Sequence, residues 1–81
     1  MLMIIEYHKR AKKFITSQEE KTALRLYKAI EKLPDGDVTK LKGMKNKTLS
    51  RLRVGDFRVI FHMEQDLILI LKIDNRGEVY K

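Results

Sequence analysis

Residues 49–61, LSRLRVGDFRVIF, alternate apolar and mostly basic side chains on either side of a Gly55-Asp56 pair. Gly followed by Asp suits a two-residue hairpin turn, so the stretch predicts two antiparallel strands folded about that pair. Such a turn sets Val54 against Phe57, Arg53 against Arg58, Leu52 against Val59 and Arg51 against Ile60, because cross-strand partners share a face and faces alternate along a strand. One face then collects Leu52, Val54, Phe57, Val59 and Phe61 for a core. The opposite face collects Arg51, Arg53 and Arg58, with Arg53 and Arg58 directly across from each other. Like charges in that position destabilise a strand pair, so the arrangement predicts an anion that relieves the repulsion.

The chain has 81 residues, enough for one sheet under one helical layer, and the expectation is a single domain over residues 1–81. Its lack of cysteine excludes disulfides and thiolate metal sites. The first residues lack the charged-then-apolar pattern of a secretory leader, and no apolar run reaches the roughly 18 residues needed to span a bilayer. These features predict a cytoplasmic protein with no membrane partner. The formal net charge is +7, and it is concentrated: residues 40–58 hold seven basic side chains against the single Asp56. A polyanion partner fits that concentration, since affinity for nucleic acid rests on phosphate neutralisation. A basic surface kept for solubility, or covered by an acidic protein, is the plainer reading.

In chain order, residues 1–7, MLMIIEY, read as a first strand. Ala11, Phe14 and Ile15 have the spacing of a helix with one buried stripe, ending near Thr16. Ser17-Gln18-Glu19-Glu20 fits a capping box, which predicts a second helix starting at Ser17 and running to about Leu33 before the turn residues Pro34-Asp35-Gly36-Asp37. Its apolar side holds Ala23, Leu26, Tyr27, Ile30 and Leu33, and its lysines form an ordinary solvated face. Residues 38–47 read as a basic loop anchored by Leu41 and Met44. After the hairpin, residues 67–73, LILILKI, are apolar enough for a strand buried on both faces. A three-residue loop at Glu64–Asp66 would put Leu67, Leu69, Leu71 and Ile73 on the core face and Lys72 opposite Arg58. The tail from Asp74 has turn residues around Gly77 and can bring Arg76 and Tyr80 to the arginine face. The order β, α, α, then three or four β predicts an α+β fold, βααβββ(β), with a helical hairpin on one face of a mostly antiparallel sheet.

No Gly-rich phosphate loop, HExxH, EF-hand or Cys/His zinc spacing occurs, so neither metal nor cofactor is expected. The carboxylates are scattered over helix starts and turns, unlike a paired-carboxylate hydrolase. What remains is cation-rich phosphate chemistry. Cleaving RNA through its 2′-hydroxyl requires charge stabilisation on the phosphoryl oxygens and proton transfer at both ends. Arginine supplies the first through a planar fork that keeps its proton. For the second, Tyr80 is the candidate, its phenol shifted toward phenolate by neighbouring cations. His62 shares the alternation phase of Arg58 and is a secondary acid/base candidate, although an exposed strand histidine near a turn is the plainer reading.

Five stretches together carry a family resemblance: KRAKKFI at 9–15, AIEKL at 29–33, LKGMKNK at 41–47, RLRVGDFRVIF at 51–61 and NRGEVYK at 75–81. The chain resembles the RelE/ParE toxins of bacterial type II toxin–antitoxin systems over nearly its full length. The resemblance implies the βααβββ fold and, for the RelE branch, a metal-independent ribosome-dependent endoribonuclease that cuts messenger RNA in the A site. By position it assigns phosphate binding, transition-state stabilisation and proton transfer to Arg51, Arg53, Arg58, Arg76 and Tyr80. It assigns contacts with ribosomal RNA to Lys42, Lys45 and Lys47, to which the strand pattern adds Lys72. Implied partners are the ribosome with its mRNA and a cognate acidic antitoxin. Two positions depart from the pattern: Leu49 stands where a basic residue is common, and Asn75 where histidine is frequent. Both bear on acid/base chemistry more than on phosphate binding. The alternatives are a ParE-like inhibitor of DNA gyrase, which has no chemical need for the arginine–tyrosine set, and a degenerate member that only binds its antitoxin.

Overall fold

The structure, a computed structural model, describes residues 3–41 and 49–75. Its elements are β1 (Ile4–Tyr7), α1 (Lys9–Thr16), α2 (Glu20–Glu31), β2 (Val38–Lys40), β3 (Leu49–Val54), β4 (Phe57–Glu64) and β5 (Leu67–Asn75). They form an α+β fold in which the two helices cover one face of a five-stranded sheet of order β1-β5-β4-β3-β2. The β1–β5 pair is parallel and the other three are antiparallel. This matches the predicted class. Ala11 and Ile15 of α1, with Leu26 and Ile30 of α2, are fully buried against Val59, Phe61, Ile68 and Ile70 of the sheet. Burial of this apolar set is the main stabilising term, at roughly 1.5–3 kcal/mol per large side chain.

The β3–β4 hairpin has the predicted register, from Val54 opposite Phe57 to Arg51 opposite Ile60. Gly55 adopts φ +61°, and a Cβ there would lie 2.5 Å from Nη2 of Arg25, which reaches over the turn from α2. Glycine is required by both conditions.

Three details differ from the sequence reading. Ser17 does not start α2: its Oγ donates to the Phe14 carbonyl at 2.6 Å and its N–H to the Lys13 carbonyl, so it closes α1. The free carbonyls of the last turn of α1 capture the group expected to cap the next helix. Glu19 takes the N-cap position of α2 without a side-chain capping bond. The helix ends at Glu31, yet Leu33 remains buried because a tighter final turn, Leu33 N–H to the Ile30 carbonyl, carries it inward. Second, Val38–Lys40 form an edge strand rather than loop, pairing Val38 with Leu52 and Thr39 with Arg51. Met44, one of the two expected anchors, lies outside the described residues.

The third difference is the β4–β5 register. The turn contains two residues, Gln65 and Asp66, with Gln65 at φ +53°, so Glu64 rather than Met63 pairs with Leu67. That one-residue change reverses the faces, and Ile68 and Ile70 are buried while Leu67 and Leu69 lie half-buried on the other side. A bulge then intervenes: Phe61 pairs with Ile70 and Ile60 with Lys72, leaving Leu71 as the extra residue. Beyond it the phase returns, and Ile73 is buried as expected.

Candidate nucleic-acid interface

The face of the sheet away from the helices has its side chains arranged in rows across the strands. One row runs Arg53 on β3, Arg58 on β4, Asp74 on β5. The next runs Thr39, Arg51, Ile60, Lys72. A third holds Leu49, His62, Leu69 and Glu6, and a fourth Glu64, Leu67 and Ile4. Strands are about 4.8 Å apart and alternate residues about 6.7 Å apart, so Arg51, Arg53, Arg58 and Lys72 share a patch roughly 10 Å across. The far rows are more apolar, with Ile4 57% exposed. Arg53 and Lys72 are exposed, whereas Arg51 and Arg58 are partly buried.

The two steps of register shift decide what stands beside Arg58. The sequence reading placed Lys72 there; the short turn and the bulge move Lys72 opposite Ile60 and deliver Asp74 in its place. Nη2 of Arg58 donates to Oδ2 of Asp74 at 3.1 Å, with the two side chains 27% and 33% exposed. Asp74 thus partly neutralises Arg58 from the side away from Arg53, without standing between the two arginines. At this exposure the Arg58–Asp74 pair contributes on the order of 1 kcal/mol. Nε of Arg58 and Oδ1 of Asp74 are buried and make no hydrogen bond among the described residues.

His62 is brought to the arginine face but not to the arginines. It lies four residues along β4 from Arg58, about 13 Å at Cα, with Ile60 between them. Its Nε2 is 3.3 Å from Oε2 of Glu64. Lys42, Lys45, Lys47, Arg76 and Tyr80 lie outside the described residues. Among the described residues, no group of three or more His, Cys, Asp or Glu could hold a metal ion, and no helix is long and apolar enough to cross a membrane.

The helix side carries a separate basic surface. His8 accepts the Arg10 N–H on Nδ1 at 3.1 Å and so caps α1, whose first turn has no acidic residue. A cleft of about 590 Å³ beside it is lined by Lys9, Arg10, Lys13, Phe14 and Ile73 among others. Farther along, Nζ of Lys12 sits 5.4 and 5.1 Å from the ring centroids of Tyr7 and Tyr27, which pack edge to face. Burial, with smaller contributions from Tyr27 and Glu31, pushes the Tyr7 phenol up to about 12.

Asp74 is the residue of this face that the sequence reading missed. Its signal was available in the cross-strand rule, but only to a reading with the two-residue turn and the bulge in place.

The family model for the ParE toxin of the type II toxin–antitoxin system parDE matches residues 5–80. Among solved structures, the chain is similar to a chain of the archaeal RelE–RelB complex from Pyrococcus horikoshii OT3. The identity is 31% and the TM-score 0.76, over 95% of this chain and 98% of that one. It is also similar to a chain of the RelB–RelE antitoxin–toxin complex from Methanococcus jannaschii, at 21% identity and TM-score 0.72, over 93% of this chain and 94% of that one. A chain of the RelBE2 complex from Mycobacterium tuberculosis superposes with TM-score 0.77 at 12% identity, over 94% of this chain and 100% of that one, a likeness of fold alone. No curated protein sequence matches.

Proposed function

We propose that this chain, which belongs to the ParE toxin family of type II toxin–antitoxin systems within the RelE/ParE superfamily, stops translation by cutting messenger RNA on the ribosome. The observation that carries the reading is the patch of Arg51, Arg53, Arg58 and Lys72 on the helix-free face. Four cations within about 10 Å are suited to holding adjacent phosphates and to stabilising charge as it develops on the phosphoryl oxygens. In this mechanism the 2′-hydroxyl gives up its proton and attacks the neighbouring phosphorus in line, the P–O5′ bond breaks to leave a cyclic phosphate while the departing 5′-oxygen takes up a proton, the arginines stabilise the phosphorane-like transition state, and no metal is required. Arg76 adds to the cation set. Tyr80 takes the proton-transfer role that arginine is too basic to fill, while the distance of His62 from Arg58 argues against it as the acid or base. Lys42, Lys45 and Lys47 add positive charge for ribosomal RNA, and the partner that silences the toxin is an acidic antitoxin. The likeness to the RelE–RelB complex supports the last point.

Arg58→Ala is expected to lower mRNA cleavage on ribosomes by about 10²–10³-fold, as removal of a transition-state donor does. Tyr80→Phe is expected to abolish it, with both variants still folded by circular dichroism. Full cleavage by both would place the chemistry elsewhere. A second reading is a ParE-like inhibitor of DNA gyrase, kept because the matching family model is that of the ParE toxin. Induction in cells separates the two: truncated messages and collapsed translation support the nuclease, and DNA damage with early arrest of replication supports the gyrase inhibitor.

A further inference from the structure

The row Arg53–Arg58–Asp74 places a carboxylate against the arginine assigned to the transition state. A carboxylate can accept the Nε–H and one Nη–H of arginine side by side. In this pair the Nη2–Oδ2 half is formed at 3.1 Å, and the atoms of the other half, Nε and Oδ1, are both buried and unbonded among the described residues. Nε is closed to any outside ligand. What Arg58 can offer a phosphate is therefore its Nη end, and Asp74 already engages that end through Nη2. The nearest cross-strand alternatives for Asp74 are limited: Arg58 is its partner on β4, and Lys72, two residues back on β5, faces Ile60.

We infer that Asp74 is a positioning residue, an internal carboxylate that holds Nη2 of Arg58, restrains the guanidinium on the open face, and lowers its affinity for phosphate. The inference deepens the nuclease reading and rests on it for the identity of the phosphate. Two opposed effects follow from one contact. The restraint favours the reaction, because an oriented donor has less conformational search left to make. The neighbouring negative charge weakens binding, because each incoming phosphate meets a carboxylate beside the cation. A toxin that must release cut RNA gains from both.

Asp74→Asn tests both effects at once, since asparagine keeps the size but loses the charge and one of the two acceptor oxygens, which weakens the hold on Arg58. For a short single-stranded RNA of fixed sequence, the variant should bind about fivefold tighter. Its dependence of log K on log salt should steepen by about 0.7, the value for one more phosphate contact on a single strand. Cleavage of ribosome-bound message at saturation should fall about tenfold or more, so that binding and turnover move in opposite directions. Asp74→Glu, which restores the charge, should return affinity toward that of the wild type. Adding Asp74→Asn to Arg58→Ala should change nothing further, because the effect passes through Arg58. The Arg58 Nε–H resonance, protected from solvent exchange in the wild type by its burial, should exchange faster in Asp74→Asn.

Unchanged affinity, salt slope and Nε–H exchange in Asp74→Asn would overturn the inference. So would a parallel loss of binding, turnover and melting temperature, which is the signature of a merely structural contact. If the wild type cleaves nothing while affinity, salt slope and exchange shift as expected, the nuclease reading falls and the grip of Asp74 on Arg58 stands.

Discussion

Two hairpins share strand β4, and they differ in how they hold their register. On one side, β3–β4 turns through Gly55, whose φ of +61° no other residue adopts as easily, and its ladder runs without interruption from Val54–Phe57 to Leu49–His62. On the other, β4–β5 turns through Gln65 at φ +53° and takes a bulge between Ile60 and Phe61. Glycine announces a turn because its left-handed conformation carries no Cβ penalty. Glutamine announces nothing, since for it the same conformation costs roughly 1–2 kcal/mol and is accepted only when the strands on either side demand it. The first hairpin lines up the arginines. The second decides what they meet, and by two one-residue steps it replaces a lysine with an aspartate.

The largest expected stability effect tests the register of the second hairpin. Ile70 is fully buried and Leu69 is half-buried on the open face, so Ile70→Ala should destabilise by about 2–5 kcal/mol and Leu69→Ala by much less. The unbroken register expected from sequence has them the other way round, with Leu69 inside. Urea denaturation of the two variants decides between them, and equal losses would mean that neither register holds.

A smaller contrast concerns the two turns. Gly55→Ala meets both the left-handed φ and the Arg25 guanidinium, and is expected to cost about 1–2 kcal/mol. Gln65→Gly relieves the same kind of strain but adds freedom to the unfolded chain, so its melting temperature should stay level or rise slightly. A clear loss on Gln65→Gly would show that the glutamine side chain, rather than the strands, holds that turn.

The smallest effect lies on the β5 side of the sheet, where Tyr7 of β1 pairs with Ile70. The unfolded chain releases the Tyr7 proton near pH 10, whereas the folded protein keeps it to about 12. Between those values the folded state holds more protons, so stability falls as pH rises through the window. Tyr7→Phe should flatten that fall in denaturation measured at pH 9 and pH 11. An equally steep fall in the variant would assign the alkaline loss to another group.

Much of this molecule was legible in its sequence, for reasons that can be given residue by residue. Ala11, Ile15, Leu26 and Ile30 recur at helical spacing, and all four are buried. Leu52, Val54, Val59 and Phe61 alternate with charged or polar neighbours around a glycine, so only one phase buries them, and that phase is the observed one. The capping box at Ser17 misled because the hydroxyl had a nearer acceptor in the Phe14 carbonyl, which the pattern S-x-x-E does not reveal.

The apolar run LILILKI is the opposite case. Leu67, Leu69 and Leu71 are as hydrophobic as Ile68 and Ile70, so either phase buries apolar side chains and alternation carries no information about register. Turn length and the bulge therefore set it, and both depend on how β5 fits between β4 and the parallel β1. Alternation about Gly55 is enough to place three arginines on one face of a sheet. The pairing of Asp74 with Arg58 arises in the folded sheet, because it depends on where β5 sits between its neighbours rather than on the pattern of its residues.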